Sequence, residues 1–227
     1  MRLSGGLIET MSTYVLIHGA GSEAWLWHLV VPRLQELGHF TVAVDLPCDD
    51  DSAGLHQYAE TVLRAAGNRE ELILVAQSLA GFTAPLVCDR RPVDLLVLVN
   101  AMVPLPGETA GEWWTNTGHV FPDPFDPVEV FLHDVSPDLV AEAAHHVRRQ
   151  SDTVFSDPWP LAEWPHVPTR AVACRGDRFF PIDFQRKVIR ERLGIEPDQM
   201  PGGHLPALAH PAELVDYLEE CRLHTNR

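Results

Sequence analysis

The sequence has no closely spaced cysteine pair and no long apolar run. Cys48, Cys88, Cys174 and Cys221 lie far apart and form no C-x-x-C motif, which predicts free thiols in a reducing compartment. No apolar run could span a bilayer, and residues 1–11 lack the compact apolar core of a signal peptide. We therefore predict a cytoplasmic protein without a membrane segment, in which residues 1–11 form a disordered extension.

Basic residues are also scarce. The 227-residue chain has 17 Lys and Arg against 32 Asp and Glu, which gives a formal net charge of −15. Nucleic acids and anionic membranes are bound by basic surfaces, so neither is an expected partner. The partner that remains is a small-molecule substrate, and the sequence leaves a homodimer open.

Histidine is abundant, but no spacing typical of a metal site accompanies it. The 12 histidines include no H-E-x-x-H motif or comparable set of ligands. The acidic run Asp49–Asp51 offers fewer oxygen ligands than calcium requires, and it is more simply an exposed loop. We predict no metal site.

Short apolar runs alternate with amphipathic helical patterns along most of the chain. The predicted strands are Tyr14–Ile17, Thr41–Asp45, Glu71–Val75, Leu95–Val99 and Thr169–Cys174. Apolar strands that alternate with helices predict an α/β fold with a mostly parallel sheet and helices on both faces. The length and the 45% hydrophobic content favour a single domain over residues 1–227.

The alternation stops between Ala101 and Val167. This segment contains many of the prolines and tryptophans, and one clear helix is predicted to begin with Ser136 as N-cap and Pro137 as first residue. We interpret residues 101–167 as a small, largely helical cap inserted into the domain, and we call it the cap segment.

The stretch Val75–Gly81 connects a predicted buried strand to a predicted helix through Ser78. Ala76 and Ala80 lie two residues away on either side of this serine. A strand-to-helix turn that exposes a serine hydroxyl has room only for very small side chains, hence the usual pattern G-x-S-x-G. Alanines are a permitted variant. The alternative is a serine N-cap at the start of an ordinary helix.

Three chemically complementary residues are expected beyond the carboxyl ends of the strands, in the chain order Ser78, Asp177, His204. A serine becomes nucleophilic when a histidine takes its proton, and a carboxylate then orients that histidine and stabilises its charge. Asp183 and His210 are the reserve candidates for the acid and the base. Asp183 is expected in the first turn of a helix, where a carboxylate is favourable in any case.

These motifs resemble those of the α/β-hydrolase-fold superfamily over roughly Thr13 to Leu223. They are His18-Gly19-Ala20-Gly21 with Trp25 and Trp27, the turn at Ser78, Arg175-Gly176-Asp177 with Pro181, and Gly202-Gly203-His204 before His210-Pro211. The opening motif and the small cap are similar to those of the methyl-ester esterase and hydroxynitrile lyase branch and its bacterial relatives. The resemblance implies a Ser78–Asp177–His204 triad, an oxyanion hole from the backbone amides of Ala20 and Leu79, and no cofactor.

The function that these features predict is a serine hydrolase, in particular a carboxylesterase for a small apolar ester. A tryptophan-rich cap would provide an apolar pocket. The residues expected to line the pocket are His18, Trp25, Gln77, Trp113 and Trp114. Gln77 stands where relatives often have histidine, and it could alter the pocket or its support.

Three alternatives remain at this stage. On the same fold, a lyase would use the serine and histidine for proton transfer, with Arg148 or Arg149 as a positive group for the leaving anion. A non-catalytic protein could use the scaffold only to bind a small ligand. Residues 19–24 also fit a dinucleotide-binding glycine pattern with Asp45 as the ribose ligand, but Trp25 would then crowd the phosphates.

Overall fold

The computed structural model describes residues 11–225 and is built around a six-stranded parallel sheet. The strands are β1 (Thr13–Ile17), β2 (Phe40–Val44), β3 (Leu72–Gln77), β4 (Leu95–Val99), β5 (Thr169–Cys174) and β6 (Asp198–Met200), in the spatial order β2-β1-β3-β4-β5-β6. Every neighbouring pair is parallel, which confirms the predicted sheet. The predicted disordered extension lies outside the described residues, apart from Met11.

Helices cover both faces of the sheet. They are α1 (Val31–Glu36), α2 (Leu55–Ala66), α3 (Ala80–Cys88), α4 (Ala110–Thr117), α5 (Pro127–Phe131), α6 (Pro137–Ala143), α7 (Thr153–Ser156), α8 (Ile182–Leu193), α9 (Pro206–Ala209) and α10 (Pro211–Thr225), with a 3-10 helix at Ala24–Trp27. One core cluster joins the sheet to α2, α3 and α8, and a second joins it to α1 and α10. Strands enclosed in this way bury both faces, which explains their continuous apolar runs. Among the described helices, none has the length and apolar character needed to cross a membrane.

The spacing of Leu26, Val30, Leu34 and Leu37 predicts one buried helical face, and the structure differs from this pattern at its end. The structure divides this region into the 3-10 helix and α1, and α1 has Pro32 in its first turn. Leu26 and Leu34 are buried as the periodicity predicts, but Leu37 is 48% exposed. The reason is that α1 ends at Glu36, so Leu37 caps the helix instead of extending its buried face.

The cap segment contains four short helices, α4 to α7, joined by loops. Helix α6 begins at Pro137 after Ser136 as predicted. The spacing of Val140, Ala143, Ala144 and Val147 predicts a longer buried face, but the helix ends at Ala143 and Val147 is 73% exposed. The segment is anchored to α8 by an ion pair between Glu108 and Arg192, which are 4% and 6% exposed. Removal of either partner would leave the other charge buried and uncompensated, which would destabilise this contact.

The four cysteines are free, as the sequence predicts. Cys48, Cys174 and Cys221 are buried, and Cys88 is partly buried. Burial raises the pKa of the Cys88 and Cys174 thiols to about 12, so both remain protonated near neutral pH.

A largely buried polar cluster connects α10 to β1 and to His39, the residue before β2. Glu219 accepts hydrogen bonds from the Tyr14 hydroxyl at 2.5 Å and from Arg222 Nη2 at 2.8 Å. His39 Nε2 lies 3.1 Å from the same carboxylate. Burial alone would raise the pKa of Glu219, but the hydrogen bonds from Arg222 and Tyr14 outweigh it and hold the pKa below its ordinary value of 4.5.

We expect Glu219→Gln to lower the free energy of unfolding by about 2 kcal/mol near neutral pH, because a hydrogen-bonded buried charge is lost. A lowered pKa means that folding favours the carboxylate. The stabilisation is therefore complete well above pH 4.5 and is lost as the pH falls through the lower, folded-state pKa. Urea unfolding at several pH values measures this, with the exposed neighbour Glu220→Gln as control. A stability difference that stays constant down to acidic pH would contradict it.

Candidate active site

The candidate residues meet at the carboxyl edge of the parallel sheet, where functional groups of such sheets collect. Ser78 follows β3, Asp177 follows β5 and His204 follows β6. Ser78 Oγ lies 3.1 Å from His204 Nε2, and His204 Nδ1 lies 2.8 Å from Asp177 Oδ2. The structure thus brings together three residues that are separated by up to 126 positions in the chain.

Ser78 occupies a strained turn between β3 and α3. Its φ is +53°, a left-handed conformation that costs energy for any residue with a side chain. The turn is held because the Ser78 carbonyl accepts hydrogen bonds from the amides of Gly81 at 3.1 Å and Met102 at 3.0 Å. A Cβ atom on Gly81 would lie 1.8 Å from the Met102 carbonyl oxygen. Gly81 is therefore the glycine on which this turn depends, and the sequence pattern did not single it out.

The hydrogen bonds around His204 fix its ring in one tautomer. Asp177 carries no proton to give while it is ionised, so Nδ1–H donates to the carboxylate and Nε2 is free to accept the Ser78 proton. The other carboxylate oxygen accepts from the amides of Phe179 and Phe180, both at 2.8 Å. These two amides orient the carboxylate and were not found from the sequence.

The reserve candidates lie elsewhere. Asp183 is at the start of α8 with its side chain 94% exposed, near Arg186. His210 lies beside Glu213 and Asp134, at 3.4 Å and 3.9 Å. Neither residue is within hydrogen-bonding distance of Ser78 or His204 in the part of the chain that the structure describes.

Polar side chains hold the backbone of the His204 loop from two sides. Asn100 Nδ2 donates to the carbonyls of Gly203 at 3.0 Å and His204 at 3.2 Å, and Gln77 Nε2 donates to the His204 carbonyl at 3.2 Å. On the other side, Asp134 of the cap segment accepts from the Gly203 amide at 2.6 Å. Gln77 therefore supports the position of His204. The sequence left open whether this residue affects the pocket or its support, and the hydrogen bond is of the second kind.

Two backbone amides close to Ser78 in the chain or in the fold are the candidates for an oxyanion hole. The first belongs to Ala20, whose neighbour Gly19 packs so closely that a Cβ atom there would lie 2.8 Å from Ser78 Cβ and 2.4 Å from Gln77 Oε1. The second amide belongs to Leu79. Over residues 11–225, neither the Ala20 nor the Leu79 amide donates a hydrogen bond to another protein group. Unpaired amides beside a nucleophile are the donors that a developing oxyanion requires.

His18 supports the loop before Ala20 and offers no free ring nitrogen. Its side chain is fully buried, Nδ1–H donates to the Gly19 carbonyl at 2.7 Å, and Nε2 accepts from the Leu46 amide at 3.1 Å. Burial is the main reason that the pKa of His18 falls to about 4, so the ring is neutral near physiological pH. The structure gives this residue a supporting position, whereas the sequence suggested a pocket wall.

Aromatic rings surround the His204 imidazole. The ring centroids of Phe131, Phe179 and Phe180 lie 5.3, 5.3 and 5.1 Å from it. Trp114 contacts Phe179 at 5.8 Å and so belongs to the next layer. Sequence reasoning emphasised the tryptophans and missed these phenylalanines, although Phe179 and Phe180 follow Asp177 almost directly.

The other two predicted pocket tryptophans are engaged elsewhere. Trp113 is 1% exposed and donates its indole N–H to the Val103 carbonyl at 3.0 Å, as a core residue of the cap segment. Trp25 is stacked between two histidines, His28 at 4.3 Å and His146 at 4.1 Å. These contacts place Trp25 in the junction between the cap segment and the domain, and its aromatic contacts include no residue of the serine–histidine pair within the described chain.

The cap arginines face the loop that follows β2. Arg148 donates to the Leu46 carbonyl at 3.1 Å and to Asp49 at 2.5 Å, and Arg149 pairs with Asp51 at 2.9 Å. Both guanidinium groups are thus occupied by partners other than Ser78 or His204. Within the described residues, no group of three or more His, Cys, Asp or Glu side chains could hold a metal ion.

A parallel sheet with a strained serine turn after its third strand, and with a histidine and an acid after later strands, defines an α/β-hydrolase. Residues 14–217 match the family model described as "Alpha/beta hydrolase family". The chain therefore belongs to the alpha/beta hydrolase family. It is an enzyme of that family's esterase type, as the relatives below indicate.

The chain is similar to plant esterases along most of its length. It is 34% identical to "Probable esterase PIR7A" of Oryza sativa subsp. japonica, over 90% of this chain and 94% of that protein. It is 27% identical to "Methylesterase 3" of Arabidopsis thaliana, over 93% and 96%.

Solved structures share its fold. Polyneuridine aldehyde esterase gives a TM-score of 0.78 at 18% identity, covering 96% of this chain and 100% of that one. A pyrethroid hydrolase from Sphingobium faniae JZ-2 gives 0.77 at 22% identity, covering 94% and 98%. At these identities the similarity establishes the fold alone.

Proposed function

We propose that this protein is a serine hydrolase that cleaves carboxylic esters, with Ser78 as nucleophile, His204 as general base and acid, and Asp177 as the residue that orients His204. The observation that carries the proposal is the continuous hydrogen-bonded line from Ser78 through His204 to Asp177. A serine hydroxyl, an imidazole in the accepting tautomer and a buried carboxylate together make an activated nucleophile.

The proposed reaction has two halves. Ser78 Oγ attacks the ester carbonyl while its proton passes to His204 Nε2, and the amides of Ala20 and Leu79 donate to the resulting oxyanion. The carbon–oxygen bond to the alcohol then breaks, and His204 gives its proton to the departing oxygen. Water, deprotonated by His204, attacks the acyl-enzyme, and the acid is released as Ser78 regains its proton.

The surroundings of His204 support an apolar substrate. The departing alcohol must lie near Nε2 of His204, and the rings of Phe131, Phe179 and Phe180 lie around that imidazole. Apolar walls with a few placed polar groups are typical of small-molecule pockets. Because similar proteins are named methylesterases, methyl esters of small apolar acids are the first substrates to test.

We further propose that residues 101–167 act as the cap of this single domain and help to form the site. The cap segment supplies Phe131 to the surroundings of His204 and Asp134 to the Gly203 amide. Its removal would therefore expose the proposed pocket and release one side of the His204 loop.

A chromogenic ester tests the acyl-enzyme directly. Rapid mixing of the wild type with an activated aryl ester should give a burst of alcohol equal to the enzyme concentration, followed by slower steady turnover. His204→Ala should give no burst, because the serine then lacks its base. His166→Ala, which changes a histidine whose side chain is 96% exposed, is the matched control and should keep the burst.

Other results would contradict the proposal. Cleavage of cyanohydrins without ester hydrolysis would indicate a lyase, although Arg148 and Arg149 are both occupied by acidic or carbonyl partners. Saturable binding of a small ester without turnover, unchanged in Ser78→Ala, would indicate a non-catalytic binding protein.

A further inference from the structure

The cap segment forms two hydrogen bonds with Gly21, in the loop that contains Ala20. The Arg148 amide donates to the Gly21 carbonyl at 2.9 Å, and the Gly21 amide donates to Oε1 of the Gln150 side chain at 3.0 Å. Gly21 has φ of +62°, and a Cβ atom there would lie 3.2 Å from the Arg148 carbonyl oxygen. Both polar groups of Gly21 are therefore fixed by residues about 130 positions later, in a conformation that suits glycine.

The Gln150 side chain is itself held in one orientation. Its Nε2 donates to the Tyr58 hydroxyl at 3.1 Å and to the Ser151 carbonyl at 3.0 Å. Tyr58 is 1% exposed in α2, so it is a rigid partner. With both amide protons used on that side, the oxygen of Gln150 must face Gly21. The side chain thus connects the domain core, the cap segment and the loop.

We propose that Gln150 is a positioning residue for the oxyanion hole. It fixes the peptide between Ala20 and Gly21. Through the Ala20 backbone, this restrains the preceding Gly19–Ala20 peptide, whose N–H would donate to the oxyanion. This inference rests on the proposed function, and it adds a role for the cap segment in the chemical step. No atom of Gln150 needs to touch the substrate.

The expected effect falls on kcat more than on KM. An oxyanion donor acts mainly on charge that develops in the transition state, so a misdirected amide weakens the transition state and leaves substrate binding nearly intact. Loss of a full oxyanion donor lowers kcat by about 10²–10³-fold. A donor that is misplaced but present should lower kcat by roughly 10- to 100-fold.

Three variants separate positioning from packing. Gln150→Met keeps the length of the side chain and removes its hydrogen bonds. Gln150→Glu keeps an oxygen that can accept from Gly21, but its carboxyl group donates one hydrogen bond when protonated and none when charged, so the charged form cannot donate to the Ser151 carbonyl. Arg149→Gln is the control, because it removes an exposed ion pair from the adjacent residue without touching Gly21.

We expect Gln150→Met to lower kcat by roughly 10- to 100-fold and to change KM by no more than about twofold. Arg149→Gln should have the kcat and KM of the wild type. The ratio of Gln150→Glu activity to wild-type activity should be highest at acidic pH and should fall as the pH rises and the new carboxyl group ionises. A residue that serves only packing would not change the pH profile in this way.

Hydrogen–deuterium exchange at Gly21 is measured on the same samples. It should be faster in Gln150→Met than in the wild type or Arg149→Gln. Wild-type exchange in Gln150→Met would overturn the inference, and so would faster exchange with unchanged kcat. If the wild type hydrolyses no ester and Ser78 is not labelled by a fluorophosphonate, the proposed function is wrong. The catalytic role of Gln150 is then wrong as well, whatever the exchange result.

Discussion

Ser78→Ala is expected to lower kcat for ester hydrolysis by about 10⁶-fold, the scale seen when the nucleophile of a serine triad is removed. The variant should retain the fold. Alanine deletes only the hydroxyl, and the backbone bonds from Gly81 and Met102 to the carbonyl of residue 78 are unaffected. Relief of the strain at a φ of +53° does not occur, because alanine also carries a Cβ atom.

Steady-state kinetics on the best ester substrate, with circular dichroism to verify folding, measure this effect. Ser136→Ala is a suitable control, since Ser136 lies in the cap segment and its side chain makes no capping hydrogen bond. Turnover within tenfold of the wild type in Ser78→Ala would rule out the acyl-enzyme. Water attack assisted by His204 alone would then be the better mechanism.

Asp177→Asn is expected to lower kcat by about 10⁴-fold with little change in the structure. One side-chain oxygen of Asp177 accepts from the amides of Phe179 and Phe180, so the oxygen of an asparagine must occupy that position. The asparagine NH₂ group then faces His204 Nδ1. Nδ1 must accept a hydrogen bond, which places the imidazole proton on Nε2, where it can no longer take the proton of Ser78.

The exposed Asp183→Asn is the matched control, and its kcat should equal that of the wild type. NMR of the imidazole nitrogens reports the tautomer directly. The expected result is Nδ1–H in the wild type and Nε2–H in Asp177→Asn. An equal loss of kcat in Asp177→Asn and Asp183→Asn, or an unchanged His204 tautomer in Asp177→Asn, would contradict the proposed role of Asp177.

The sheet and the three residues of the hydrogen-bonded line could be found from local sequence patterns. Each of Ser78, Asp177 and His204 follows a short strand, and parallel strands bring their carboxyl ends to one edge. Apolar runs reveal the strands before Ser78 and Asp177 because both faces of those strands are buried. Strand β6 before His204 has no such run and was not among the predicted strands. The positions of these side chains therefore follow from strand order, even though the residues are far apart in the chain.

The supporting contacts could not be found in this way. Asn100 meets the His204 carbonyl across 104 positions, and Gln150 meets Gly21 across 129. Such pairs depend on how the cap segment and the loops pack, and no spacing within the sequence encodes that arrangement. Trp25 illustrates the same limit: its position beside the first motif suggested a pocket, whereas tertiary packing stacks it between His28 and His146.

The central claim is that Ser78 is a nucleophile activated by His204. Intact mass after treatment with a fluorophosphonate probe tests it most directly, because the probe forms a stable bond only with an activated serine. We predict a single adduct on the wild type and none on Ser78→Ala or His204→Ala. An adduct that persists in Ser78→Ala, or a wild type that stays unlabelled even by a small organophosphate, would contradict the account.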